Sequence, residues 1–134
     1  MMDDNFNLIE STIRLEKHSL YVELGDGSRL FIPEHQQQKL HHYIDQKVDF
    51  GIRPDFISIA EESDQLNTIN GELTSLETKD GFQLVHFKIA HKEMISRLRH
   101  SAFAACDVGR SLRFNVDTFF SHIFDQDTQV NLTI

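Results

Sequence analysis

Six cations stand within 28 residues of this sequence: Lys88, Lys92, Arg97, Arg99, Arg110 and Arg113, interrupted only by Glu93 and Asp107, so the segment from His86 to Arg113 carries +4. The whole chain of 134 residues carries −8. Residues 1 to 85 hold 7 basic and 16 acidic side chains, and the tail from residue 114 adds Asp117, Asp125 and Asp127. A chain so acidic overall repels polyanions at long range, so contact with phosphate or an acidic partner must be local to the basic segment. Placed on a helix, Lys92, Ser96, Arg99 and Phe103 form one stripe beside the apolar face, while Arg97 falls on the opposite border. Arg110 and Arg113 follow on the next element. Cations with an interleaved aromatic ring suit phosphate contact and stacking. Boundary residues whose stems cover the core edge, with their heads in water, have the same pattern.

Other reactive residue types have less helpful spacing. Helical metal ligands recur every three or four positions, whereas His35, His41 and His42 are six and one apart, and His91 and His100 are nine apart. No metal site and no cofactor is expected. Cys106 closes the apolar side of Ala104-Ala105-Cys106, where a small buried thiol is expected rather than a nucleophile. No Gly-rich phosphate loop, nucleophile elbow or HExxH pattern is present, so no catalytic residue is assigned.

The elements that must position these residues begin with a hairpin around Gly25-Asp26-Gly27. A three-residue loop pairs Leu24 with Ser28, Val22 with Leu30 and Leu20 with Ile32, keeping every apolar residue on one face with Gly27 left-handed in a G1 bulge. Phe6 to Leu15 suggests an earlier strand with a change of phase. Pro33 suits the first residue of a helix, and Leu40, Tyr43, Ile44 and Val48 continue it for about four turns. Phe56 to Ala60 reads as a short strand and Glu61 to Gly71 as a loop. A second hairpin joins Glu72–Glu77 to Phe82–Ile89, whose two apolar faces predict a central strand. Ala90 to Cys106 is predicted as the second helix, through Met94, Ile95, Leu98, Ala102, Ala105 and Cys106. Leu112 to Val116 reads as a strand, followed by a short helix capped by Asp117. Val130 to Ile134 alternates like a final strand. No internal repeat is expected beyond the similarity of the two hairpins.

Together these elements predict a single α+β domain over residues 1–134: a mostly antiparallel sheet of two hairpins and flanking strands, two main helices on one face, and a short third helix. Eleven Phe, two Pro and no low-complexity stretch indicate a folded globular chain. Residues 1 to 16 lack the apolar region of a secretory leader, no stretch reaches the roughly 18 apolar residues of a membrane span, and one cysteine suits a reducing compartment, so a cytoplasmic location is expected. The expected function is a non-catalytic binding or regulatory module that engages a protein partner through the basic segment, with Val130–Ile134 offering a homodimer edge. The alternative is recognition of a nucleotide or single-stranded nucleic acid by Lys92, Ser96, Arg99, Phe103, Arg110 and Arg113. A small enzyme with a His and carboxylate cleft is the third.

Overall fold

The computed structural model describes residues 6–134. Met1 to Asn5, the start of the segment read above for a leader, lie outside them. Ten strands among the described residues form two five-stranded antiparallel sheets. The first sheet has the order β10-β4-β1-β2-β3, from His122–Asp125, Lys47–Ile52, Asn7–Glu16, Ser19–Leu24 and Arg29–Phe31. The second has the order β5-β9-β6-β7-β8, from Ile57–Ile59, Ser111–Val116, Thr68–Lys79, Phe82–Ile89 and Lys92–Leu98. The inward faces share one core, in which Ile13, Leu20, Val48, Ile57, Leu73, Val85, Phe87 and Phe114 are fully buried. The protein is therefore mostly β, and the expected α+β architecture with two main helices on a sheet is overturned.

The first expected helix is shorter than predicted. Helix α1 (Glu34–Gln37) runs into a 3-10 segment over Gln38–Tyr43, and the chain leaves it at Ile44, whose ψ is 132. Asp45 follows at φ 65, and Val48, Phe50 and Ile52 then alternate inward along β4. Pro33 is the helix N-cap rather than its first residue. The second expected helix does not exist. Its first half is β8 and its second half is a loop with one 3-10 turn over Ala105–Asp107. Met94, Ser96 and Leu98 are buried at period two, and the hairpin into β8 turns at Ala90 and His91, with φ of 50 and 67. Two successive positive φ values make a type I′ turn, which usually announces itself by Asn-Gly or Asp-Gly. Neither residue here gives that signal.

Other expectations hold. The first hairpin closes with Leu24 N donating to Ser28 O at 2.8 Å, Val22 opposite Leu30, and Gly27 at φ 90, as the three-residue loop requires. β7 lies between β6 and β8. Asp117 caps the 3-10 turn Thr118–Phe120 by accepting from Phe119 N at 3.3 Å. β1 exists but lacks the expected change of phase: it runs without a break, with Ile9, Ser11 and Ile13 inward. Residues 130–134 form no strand, only a bridge between Phe124 and Asn131, so the edge expected to seat a second subunit is not there.

The chain is a structural duplication, contrary to the expectation of no repeat beyond the hairpins. Asn7 pairs with Ile52, and Val116 N donates to the carbonyl of Asn67. Ile13 faces Val22 as Leu73 faces Phe87, and Val22 faces Leu30 as Phe87 faces Met94. Each half also lends its last strand to the other sheet: Ile59 of β5 pairs with Phe114, and Ile123 of β10 pairs with Phe50. The contacts between halves are reciprocal. The Asn7 amide exchanges two hydrogen bonds with the Ile95 backbone, at 2.8 and 2.9 Å, and Phe31 N, the counterpart of Ile95, donates to the Asn67 carboxamide at 2.8 Å. Phe56 stacks on its own counterpart, Phe120, at 4.2 Å. Self-matching contacts of this kind are the signature of two-fold, isologous packing.

Candidate functional site

Strand alternation decides which cations can act together. On β8 the even positions are buried, so Arg97 points outward, and Arg99, two residues on, follows the same phase. The strand crosses the linker that carries the chain from β4 to β5, a 3-10 turn over Pro54–Phe56. Buried Ser96 fastens this crossing by donating its hydroxyl to the Ile57 carbonyl. A cleft of about 580 Å³ opens beside it, lined by Asp55, Phe56, Ser58, Phe82, Arg97, Arg99 and His100 among others.

Two features hold the cations in place. The Arg97 guanidinium lies 3.9 Å from the Phe82 ring centroid, and its Nε is 3.6 Å from an Asp55 carboxylate oxygen. Stacking uses the face of the guanidinium and leaves its N–H edge to donate. Beyond His100 the chain is clamped by Gln83, which is 5% exposed. Its Oε1 accepts from Ala102 N and Phe103 N at 2.8 and 3.1 Å, and its Nε2 donates to Phe103 O at 2.8 Å. Arg99 and His100 therefore occupy a short span between a fixed strand end and a fixed loop. Two arginines and a histidine line a cleft that also holds one carboxylate, and Phe56 and Phe82 give it partly apolar walls. Chemically this suits an anion, because hydrogen bonds from cationic donors to an anion are the stronger, charge-assisted kind.

The six residues named from the helical wheel do not share a surface. Lys92 and Arg99 lie at opposite ends of a strand, roughly 23 Å apart at the usual rise per residue. Lys92 borders a smaller hollow of about 350 Å³ with Phe6, Asn7, His86 and Glu93. Ser96 is buried, and Phe103 is half-buried against the core. Arg110 pairs with Asp107 at 2.7 Å, which, with the Ala104 backbone N–H as the larger cause, holds that carboxyl below its ordinary range. Arg113 donates to the backbone carbonyls of Glu61 and Asp64, pinning the loop after β5. Of the six, only Arg99 lines the cleft. Arg97, set aside on the helical wheel, joins it because the true period is two. Asp55, Ser58 and Phe82 were not singled out in the sequence and His100 was weighed there only as a metal ligand, so only their placement by the fold reveals them.

The remaining reactive groups lie elsewhere. Cys106 is exposed, not in the core. Among the described residues no group of three His, Cys, Asp or Glu is placed to hold a metal ion. A second hollow of about 400 Å³ is lined by Pro33, Asp55, Asn67, Asn115, Asp117 and Phe119. Its two carboxylates make it unfit for an anion. No helix among the described residues is long and apolar enough to cross a membrane.

No protein-family profile matches the sequence, and no curated protein sequence matches it. Among solved structures, the cytoplasmic molybdate-binding protein ModG, in a crystal form with molybdate bound, is similar with a TM-score of 0.69 and 15% identity, over 92% of this chain and 98% of that one. At that identity the likeness establishes the fold.

Proposed function

We propose that this chain is a small-ligand-binding domain that takes a small oxyanion in the cleft between β8 and the Pro54–Ile59 crossing. The observation that carries this reading is the convergence of Arg97, Arg99 and His100 on one cleft with partly apolar walls, in a protein whose net charge is −8. Cations concentrated against the prevailing charge need a local reason, and an anionic ligand supplies one. That the structural neighbour ModG binds molybdate, itself a small oxyanion, supports the class of ligand. The cytoplasmic location expected from the single cysteine belongs to the same reading. Binding of a protein partner has less support, because the basic segment is dispersed over several surroundings rather than gathered on one face.

Calorimetric titration of the protein at low salt with phosphate, sulfate and molybdate tests the proposal. At least one anion binds, and Arg97→Ala or Arg99→Ala weakens it about tenfold or more, as expected for loss of a hydrogen bond to a charged group worth roughly 1.5–3 kcal/mol. Lys92→Ala leaves it unchanged. Absence of binding by all three, or binding indifferent to Arg97 and Arg99, would rule the proposal out.

A further inference from the structure

The anion cleft contains a carboxylate, and that carboxylate restricts what can bind. Asp55 sits in the middle of the Pro54–Phe56 turn, closed by Phe56 N donating to Arg53 O at 3.1 Å, so its backbone is fixed by the crossing itself. Its carboxylate oxygen lies 3.6 Å from Arg97 Nε, on the same guanidinium that an anion would contact. The counterpart of Asp55 in the other half of the duplication is Phe119, so the carboxylate is not part of the repeated framework.

Resting on the oxyanion reading above, we infer that the cleft selects a tetrahedral oxyanion that still bears a proton, such as hydrogen phosphate or hydrogen arsenate, over fully ionised sulfate or molybdate. A carboxylate only accepts hydrogen bonds. An anion that reaches Arg97 also meets the Asp55 oxygen. Near neutral pH phosphate keeps an O–H that donates to that oxygen, which turns the encounter into a hydrogen bond. Sulfate and molybdate have no proton there and present a lone pair to a lone pair. The Asp55 side chain is half exposed, so the encounter sets two acceptors against each other at the solvent side of the cleft with no donor between them, which weakens binding. The proton makes this distinction: phosphate near neutrality is a mixture of monoanion and dianion, both of which keep an O–H that sulfate and molybdate lack. Ser58 and the Arg99 and His100 side chains complete the lining and serve either ligand equally.

The test compares affinities for inorganic phosphate, sulfate and molybdate, at one pH near neutrality and one ionic strength, in the wild type and in Asp55→Asn and Asp55→Ala. The wild type favours phosphate at least tenfold over the other two. Asp55→Asn supplies an N–H donor in place of the acceptor, and therefore raises sulfate and molybdate affinity and reverses the preference. Asp55→Ala abolishes the preference and leaves the anions about equal. Sulfate or molybdate binding the wild type as tightly as phosphate, or a preference unmoved by Asp55→Asn, overturns the inference while anion binding that depends on Arg97 leaves the functional reading standing. Failure of every anion to bind removes both.

Discussion

The two halves of this molecule are built on one plan, yet equivalent surfaces end up closed in one and open in the other. The residues that follow β3 are Pro33, Glu34, His35 and Gln36, the counterparts of Arg97, Leu98, Arg99 and His100 after the matching register on β8. In the first half they turn into α1. Gln36, 2% exposed, donates to the Ser121 carbonyl at 3.0 Å, and His35 packs its ring 5.2 Å from Phe119. In the second half the equivalent carbonyl, that of Ile57, receives the Ser96 hydroxyl from within the strand. No helix follows, so the surface over the crossing stays open, with the arginines at its rim. One duplicated framework therefore contributes stability on one side and a binding surface on the other. The difference lies in about ten residues that follow a single strand.

The largest expected effect comes from a position where the halves differ in packing room. A Cβ on Gly71 would stand 2.3 Å from Phe87, a ring stacked on Phe114 at 4.2 Å in the middle of the core. The counterpart in the first half is Ser11, whose side chain is accommodated, its hydroxyl donating to Ile9 O at 3.2 Å. Gly71→Ala is expected to destabilise by roughly 1–3 kcal/mol or more through overpacking. Ser11→Gly costs only about 1 kcal/mol, from backbone freedom and one lost hydrogen bond. Urea unfolding of both variants checks the pair, and equal losses would contradict the assigned difference in packing room.

A smaller effect separates the two sheets by acid. Hydrogen bonding from Gln126, then the charge of Lys47, lowers the Glu10 pKa, and the Thr128 backbone N–H, with help from Asp127 N–H, lowers that of Asp125. Both sit around the β10 end of the first sheet, whereas Asp107, between β8 and β9, is the one such carboxylate beside the second sheet among the described residues. A carboxyl held below its unfolded value contributes stability above the unfolded pKa, and that contribution is lost as pH falls through the folded one. Thermal stability is therefore flat near neutrality and declines below roughly pH 4. Asp125→Asn removes part of the decline, because the amide does not titrate. An unchanged acid profile in that variant would show that its pairing with Thr128 does not matter.

Much of the strand framework was legible where turn chemistry was explicit. Gly25-Asp26-Gly27 fixed the register of one hairpin by a physical argument, since slipping it by one residue would expose half the apolar set. Asp80-Gly81 announced another. The β8 hairpin was hidden because Ala90 and His91 adopt left-handed conformations without glycine, and because buried Ser96 broke the apolar alternation that would have declared a strand. Ile95 and Ala102 then completed a false helical stripe. The repeat was hidden for a similar reason: few matched positions keep the same residue, Asn7 with Asn67, Phe50 with Phe114 and Phe56 with Phe120 among them, while loop lengths differ. The cationic segment was visible as composition, but its geometry was not. A period of 3.6 groups Arg99 with Lys92, whereas a period of two groups it with Arg97. Asp55, Ser58 and Phe82 belong to other elements, and only long-range pairing brings them to the same cleft.

The central claim is that the open half, and not its closed counterpart, receives the ligand. Two-dimensional NMR of the labelled protein, titrated with inorganic phosphate, tests it directly by reporting which residues feel the anion. The account predicts saturable shifts at Ser58, Arg97, Arg99 and His100, with His35, Gln36 and Lys92 unmoved. Shifts centred on the α1 surface or the Lys92 hollow, or none at all, would contradict it.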